Sequence, residues 1–300
     1  MRTKEKILIF GVGVAGRALY RKLKAESYEI IGFLDNNPNL KNTFYGDVKI
    51  FDVNDIKLLK FDKIVISGIW VKSMLQQLKH LNVHDKNILH IKDSVMNFSS
   101  SSRVETTDYI MKSISNICKN KKMNSYIIGS SLATLFRGKD LSCVADVDIF
   151  LCSQEDAKLF LTTINNSPQF EKLQIDTVLY SQDDLLAKKG AVRKIVISSN
   201  VNIVEEEASI IDVSIANPLN EQYMVRHNEN YIRVPKNLCE GTRYFKYKNL
   251  ELQIPNLAEE YLCLLYGENW IIPPEKWDQS DYGNLMTPSE IKNLLGNIHG

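Results

Sequence analysis

The chain has 300 residues, of which 44% are hydrophobic and 24% are charged, and its formal net charge is +1. This length predicts two domains, since one hydrophobic core seldom serves so many residues. The even charge balance excludes the one-sided basic surface of a duplex-binding protein, so no nucleic-acid partner is expected. Five cysteines without a CxxC pair exclude a zinc knuckle or a disulfide framework and indicate a reducing, cytoplasmic setting.

Strands and helices alternate in the first third of the chain. Apolar runs and helical spacing predict strands and helices, in chain order, at 6–10, 15–26, 28–35, 63–68, 71–81 and 87–91. Such alternation is typical of a doubly wound parallel sheet. The predicted fold class of this part is therefore α/β, with a Rossmann-like domain over residues 1–98.

A glycine motif of the GxGxxG type lies between the first strand and the first helix. Gly11, Gly13 and Gly16 permit a tight turn and let a pyrophosphate approach the helix N-terminus. Asp35 ends the second predicted strand, where an acid binds ribose in such folds. No Tyr/Lys or His/Asp catalytic set accompanies the motif. Two roles stay open for this domain: binding a nucleotide, or serving as a scaffold or oligomerisation module.

A change of composition marks the domain boundary. Residues 93–107 contain four consecutive serines and little periodicity, which predicts a linker. Apolar residues at helical spacing follow over 108–123, so we expect the second domain to span 105–300. No apolar run reaches the roughly 20 residues of a membrane-spanning helix. The chain is expected to be soluble, or at most peripheral at the inner face of the membrane.

Carboxylates interrupt apolar strands in the second half. Asp146 and Asp148 lie in ADVDIFL and share one strand face, because residues i and i+2 point the same way. Two adjacent carboxylates suit Mg²⁺ or Mn²⁺, which also bind waters and substrate phosphates. Asp212, inside ASIIDVSIANP, supplies a third acid. The sequence leaves open whether Asp212 is a metal ligand or the general base.

Several groups near these acids are expected to bind donor phosphates. They are Gly129, Ser130, Ser131, Arg137, Arg193 and Lys194. The Gly-Ser-Ser turn would offer amides and hydroxyls to a phosphate. Arg137 is the expected cationic partner, because a guanidinium matches phosphate oxygens bidentately, and a solvated helix end is its alternative. The two basic residues at 193 and 194 precede a strand, and an exposed strand edge is the alternative for them.

The order of these motifs resembles one family. IIGSSLATLFRG is similar to the GGTLLGAVRHG element of the LicD/fukutin family, ADVDIFL to its DDDIDI element, and IIDVSIANPL to its IDIFPLD element. IPNLAEEYLCLLYGENWIIPPEKW resembles the closing element, and the resemblance covers residues 105–280. Cys143, Val144 and Ala145 depart from the acidic cluster that family members carry, and Ala133 replaces a glycine. These departures leave the acceptor preference open.

The resemblance implies a fold and a reaction. The fold is an α+β nucleotidyltransferase domain. The reaction is Mg²⁺-dependent transfer of a phospho-linked group, such as phosphocholine or a phospho-alditol, from a CDP- or CMP-activated donor to a hydroxyl of a surface glycan. CMP is released. Nucleotidyl transfer to a small molecule or protein is one alternative, and a non-catalytic nucleotide-binding regulator is another.

Two further expectations concern the ends of the chain. GFLDNNP followed by GDVKI resembles the small Rossmann-like domains attached to bacterial polysaccharide-biosynthesis enzymes. In the C-terminal part, LLYGENWIIPPEKW is expected to pack as core through Tyr261, Leu264, Leu265 and Trp270. An acceptor platform or a membrane-surface contact is the alternative for this stretch. Homo-oligomerisation is left open.

Overall fold

The computed structural model describes residues 4–66, 70–91, 98, 100–199, 208–241, 243–273 and 279–296. The chain divides into two compact units. The main segment of the first unit ends at Phe98, and the second unit begins at Ser99. Both units combine helices with a sheet that contains parallel strand pairs, so the chain belongs to the mixed α/β class.

The described part of the first unit is built on a six-stranded sheet. Its elements are β1 (Lys6–Phe10), α1 (Val14–Ala25), β2 (Glu29–Asp35), β3 (Phe44–Tyr45), β4 (Val48–Asp52), β5 (Lys63–Ile66), α2 (Val71–His80) and β6 (Ile88–His90). The strand order is β3-β4-β2-β1-β5-β6, and all pairs are parallel except β3 with β4. The predicted strands and helices are confirmed, while residues 67–69 at the end of the third predicted strand lie outside the described residues.

The three glycines of the GxGxxG motif have different local surroundings. Gly11 has a φ of +93°, which favours glycine. A Cβ at Gly16 would lie 1.8 Å from the carbonyl oxygen of Gly11, so helix α1 approaches the loop too closely for any side chain. A Cβ at Gly13 would meet nothing within 4 Å. The first and third glycines are thus required by the backbone geometry of the loop and α1. The second glycine leaves open space in front of α1.

The described part of the second unit contains an eight-stranded sheet and a separate hairpin. Its helices are α3 (Ser101–Lys121), α4 (Gly129–Phe136), α5 (Gln154–Asn165), α6 (Lys236–Cys239), α7 (Ala258–Tyr266) and α8 (Pro288–Gly296). Its strands are β7 (Ser125–Ile127), β8 (Val147–Leu151), β9 (Leu173–Leu179), β10 (Val192–Ser199), β11 (Ile210–Leu219), β12 (Gln222–His227), β13 (Asn230–Pro235), β14 (Arg243–Tyr247), β15 (Leu250–Ile254) and β16 (Leu285–Met286).

Strand β11 organises this larger sheet. The main path runs β16-β13-β12-β11-β10-β9, and β8 pairs with β11 and with β7. The β8–β11 pair is parallel, whereas β10 and β12 are antiparallel to β11. Inward-facing side chains of β8 and β11 are buried, among them Ile149 and Ile211. The sheet therefore holds β8 beside the first half of β11.

The predicted linker over 93–107 is wrong for its last seven residues. Helix α3 begins at Ser101, and the Ser100 side chain accepts a hydrogen bond from the Arg103 backbone N–H at 3.2 Å, as an N-cap serine does. The first turns bury Arg103 and Thr107, two polar residues, so the apolar spacing that signals a helix is missing. Residues 93–97 and 99 of the predicted linker lie outside the described part of the chain.

The C-terminal stretch packs as core only in part, because Leu264 and Trp270 are half-buried and Ile271 and Ile272 are 49% and 69% exposed. Tyr261 and Leu265 are buried, and Trp270 packs edge-on against Phe136 with ring centroids 5.7 Å apart. Residues 274–278 lie outside the described residues. Among the helices that the structure describes, none combines the length and apolarity that crossing a bilayer demands.

Candidate active site

Three aspartates meet on one face of the second unit's sheet. Asp148 on β8 and Asp212 on β11 are directly paired in the parallel register. Asp146 precedes β8 by one residue and shares the face of Asp148, because side chains two residues apart point the same way. One carboxylate oxygen from each of the three lies within 4.8 Å of the others. The structure thus brings together the three acids predicted from the sequence.

The strand pattern explains why these acids face outward. Val147 and Ile149 alternate with the aspartates and are 2% and 3% exposed, so the apolar side of β8 faces the core. Asp146 and Asp148 are partly exposed, and Asp212 is buried. A one-residue shift in register would place carboxylates in the core, which fixes the pairing of β8 with β11.

The electrostatics of the cluster favour a divalent cation. Burial, followed by the charges of the neighbouring carboxylates, raises the pKa of both Asp146 and Asp148. Lys194 and Arg103 act in the opposite direction on the pKa of Asp146. Three converging carboxylates form an oxygen donor set of the kind that hard divalent ions bind. The residues present therefore fit Mg²⁺ or Mn²⁺.

Lys194 belongs to this cluster. It is the third residue of β10, within the strand rather than before it as predicted. Its ammonium forms an ion pair with the Asp212 carboxylate. Arg193, its neighbour, lies at an irregularity in the pairing of β10 with β9, between Val192 and Lys194. The sequence prediction grouped these two cations. The structure pairs Lys194 with Asp212, and phosphate binding by Arg193 stays a prediction.

The Gly-Ser-Ser motif forms the first turn of α4 and supports the aspartates. Gly129 has a φ of +59°, and a Cβ there would lie 3.2 Å from Asp148 Oδ2. The Asp148 backbone N–H donates to Ser131 Oγ at 2.8 Å, and Ser131 Oγ donates to the Asp146 carbonyl at 3.4 Å. Ser131 is fully buried, so the prediction that its hydroxyl faces a phosphate is corrected: it positions β8. Ser130 is exposed, with Oγ 3.5 Å from Asp148 Oδ2.

Arg137 has a role that neither sequence interpretation included. Its Nε donates to the Ile271 carbonyl at 3.0 Å, and its Nη2 donates to the Trp270 carbonyl. Burial lowers the pKa of the guanidinium. Arg137 therefore connects the C-terminal segment to the end of α4, and pyrophosphate binding by this residue stays a prediction.

Arg103 is a positioning residue that the sequence did not reveal. It is 2% exposed and lies on α3. Its guanidinium donates to the carbonyls of Ser142, Val144 and Ala145 at 3.0, 2.8 and 2.7 Å. These carbonyls belong to the segment that leads directly into Asp146. The only signal for this role in the sequence was a basic residue shortly before a predicted helix, and Arg103 lay within the predicted linker.

We expect Arg103→Met to destabilise the second unit and to impair activity. Each hydrogen bond from a charged donor is worth about 1.5–3 kcal/mol, so losing several should cost about 3 kcal/mol or more. Urea unfolding measures the loss. Arg233→Met is the matched control, because Arg233 is exposed and exposed charged pairs contribute about 0–1 kcal/mol. Equal stability of the two variants would contradict the role given to Arg103.

In the first unit, Asp35 lies at the glycine-rich loop. Its Oδ2 accepts the Val12 backbone N–H at 2.9 Å, and its Oδ1 accepts the Asn37 N–H at 2.8 Å. These bonds fix the end of β2 beside the loop after β1. The structure thus brings Asp35 next to Gly11 and Gly13, as the fingerprint predicts. Whether a nucleotide binds there stays a prediction.

We expect Gly13→Val to weaken nucleotide binding by the first unit about tenfold or more, which corresponds to about 1.4 kcal/mol. The new side chain would occupy the open space in front of α1 while the extended backbone at Gly13 tolerates valine. The measurement is hydrogen exchange of residues 6–25 in the full chain, with and without nucleotides. In Gly16→Ala, by contrast, residues 6–25 should exchange hydrogen faster than in the wild type even when no nucleotide is present. If no nucleotide protects the wild-type loop, the scaffold role is correct.

Comparison with known families covers the first unit only. A family model described as C2185-like, N-terminal, matches residues 3–89. No curated protein matches the chain.

Solved structures resemble parts of the chain at low identity. UDP-D-quinovosamine 4-dehydrogenase from Vibrio fischeri is 23% identical, with 30% of this chain and 79% of that chain covered and a TM-score of 0.26. The lincomycin-bound lincosamide antibiotic adenylyltransferase LnuA is 12% identical over 66% of this chain and 98% of that chain, with a TM-score of 0.34. ANT(2")-Ia in complex with adenylyl-2"-tobramycin is 13% identical over 65% of this chain and 90% of that chain, with a TM-score of 0.33.

Proposed function

We propose that the chain is an enzyme whose second unit transfers a phosphate-linked group with the help of Mg²⁺ or Mn²⁺. The observation that carries this proposal is the convergence of Asp146, Asp148 and Asp212, with ligand oxygens within 4.8 Å of one another on one sheet face. Buried carboxylates in an apolar strand are costly unless they are paired or bind a cation. Their positions are also supported by Ser131 and Arg103, which hold the backbone on either side of Asp146.

The residues of the site divide into three tasks. Asp146 and Asp148 would hold the ion, which when bound supplies positive charge that stabilises the leaving phosphate. Ser130, exposed beside Asp148, is placed to donate its hydroxyl to a donor phosphate. Asp212 lies on the neighbouring strand, where it would complete the ligand set or accept the proton of the attacking hydroxyl.

The donor and acceptor in this proposal come from the motif order that resembles the LicD/fukutin family. The acceptor is a hydroxyl of a surface glycan, and the donor is CDP- or CMP-activated. In a CDP-type donor the acceptor oxygen forms a bond to the distal phosphorus, the phosphoanhydride bond breaks, and CMP leaves with the electron pair. The acceptor's proton passes to a base. In the nucleotidyltransferase alternative, attack is on the α-phosphorus of a nucleoside triphosphate and pyrophosphate leaves.

The leaving group decides between these reactions. The full chain would be incubated with Mg²⁺ and, in separate reactions, CDP-choline, CDP-ribitol, CDP-glycerol, CTP and ATP, followed by phosphorus-31 NMR. CMP release from a CDP-linked donor that requires both Mg²⁺ and Asp148 supports the proposal. Pyrophosphate release from a triphosphate supports the alternative. If no donor is cleaved and none raises the melting temperature in the presence of Mg²⁺, the proposed function is wrong.

A further inference from the structure

Four charged side chains on three neighbouring strands share one sheet face. Lys194 on β10 pairs with Ser214 on β11, which lies two residues from Asp212 and on the same face. Lys194 is therefore the diagonal neighbour of Asp212. Asp148 is the direct neighbour of Asp212 on the other side, through β8. Across the sheet, the order is Asp146 and Asp148, then Asp212, then Lys194.

This order assigns different partners to the carboxylates. The Lys194 ammonium bonds to Asp212 Oδ2 from the side of β10. Asp148 Oδ2 lies on the opposite side, next to Gly129 and Ser130 in the first turn of α4. Asp212 is buried, with a side chain only 10% exposed, whereas the Lys194 side chain is 33% exposed. The ammonium thus neutralises the most buried carboxylate while remaining within reach of a ligand on the sheet surface.

We propose that Lys194 is a built-in cation that takes the place of a second divalent ion, so that the site binds one metal ion. This inference rests on the proposed function. Two-metal sites for phosphate chemistry place two cations about 3.5–4 Å apart around shared carboxylates. Here Asp212 is already bound by a single positive charge that the chain itself supplies, and Asp146 and Asp148 remain for one ion.

The inference also predicts that Lys194 binds the phosphate groups of the donor substrate. A lysine ammonium has three N–H donors and no acceptor. One of them is used by Asp212 Oδ2, which leaves others for the phosphate oxygens of a substrate. The charge of Lys194 also opposes the burial and carboxylate repulsion that raise the pKa of Asp146 and Asp148, so it acts on the whole cluster. Removing it should make the cluster more attractive to a second divalent ion.

Titration with Mn²⁺ alone, followed by electron paramagnetic resonance of the free ion, tests the inference on the full chain. We expect one high-affinity Mn²⁺ per chain in the wild type and in Lys194→Arg, which keeps the charge. Lys194→Met and Lys194→Gln should bind two. Lys119→Met is the matched control, because Lys119 pairs with Glu251 at the surface, and it should bind one. Far-UV circular dichroism verifies that each variant is folded.

The outcomes separate this inference from the function on which it rests. Two ions in the wild type, or one ion in both uncharged variants, would overturn the role of Lys194 and leave a metal-dependent site intact. If the uncharged variants fail to fold, the stoichiometry of the wild type and of Lys194→Arg decides. No Mn²⁺ binding by the wild type would overturn both this inference and the metal-dependent function.

Discussion

Asp148→Asn should abolish turnover while the chain stays folded. A bound metal contributes several kcal/mol to charge stabilisation in the transition state, and about 1.4 kcal/mol corresponds to a tenfold change in rate. We therefore expect a loss of about 10³-fold or more. Asp148 is the appropriate position because it pairs directly with Asp212 and lies under the first turn of α4. The measurement is the rate of CMP release at saturating Mg²⁺.

The same variant should be at least as stable as the wild type when metal is removed. Burial, and then the charges of Asp146 and Asp212, raise the pKa of Asp148. A carboxyl whose pKa is raised on folding costs stability as the pH rises from its unfolded pKa through its folded pKa. Asparagine has no such cost. The melting temperature of Asp148→Asn at neutral pH in a chelator should therefore be equal to or higher than that of the wild type.

A surface carboxylate provides the control for Asp148→Asn. Asp183 pairs with Lys188 on an exposed segment, and Asp183→Asn should leave turnover unchanged. Near-normal turnover of the Asp148 variant would remove the three aspartates from the mechanism. A melting temperature of Asp148→Asn far below that of the wild type in the chelator would instead show that the carboxylate is structural.

Asp212→Asn should lower turnover by about 10²–10⁴-fold, the range typical of general-base catalysis. Lys194 already binds one oxygen of Asp212, and Asp146 and Asp148 lie on its other side. The affinity for the first Mn²⁺ should therefore change little. An interaction made only in the transition state lowers kcat and kcat/KM together when it is removed. Steady-state kinetics combined with Mn²⁺ titration measures both quantities.

A double variant controls for the broken ion pair in Asp212→Asn. The single substitution leaves the partly buried ammonium of Lys194 without its carboxylate partner, which destabilises the fold. Asp212→Asn combined with Lys194→Met removes both charges, so its melting temperature should be higher than that of Asp212→Asn. Near-normal turnover of the single variant would make Asp212 a structural residue. A large loss of Mn²⁺ affinity would make it a metal ligand first.

The sequence alone determined the elements on which the candidate sites lie. Period-two alternation around Asp146 and Asp148 predicted an outward-facing acidic pair on a strand, and β8 has that arrangement. The glycine fingerprint predicted the strand, turn and helix from β1 to α1. These features could be predicted because they depend on residues a few positions apart, whose relative directions are fixed by backbone geometry.

Only the tertiary structure decided the partners of the polar side chains. Arg137 donates to the carbonyls of residues 133 and 134 positions further along the chain, and Arg103 to carbonyls 39–42 positions away. Local sequence carries no signal for such contacts, because they depend on which segments the fold brings together. For the same reason Ser131 proved to be buried and Lys194 proved to be paired with Asp212. The sequence thus determined which residues carry charge, and packing decided which of those charges meet.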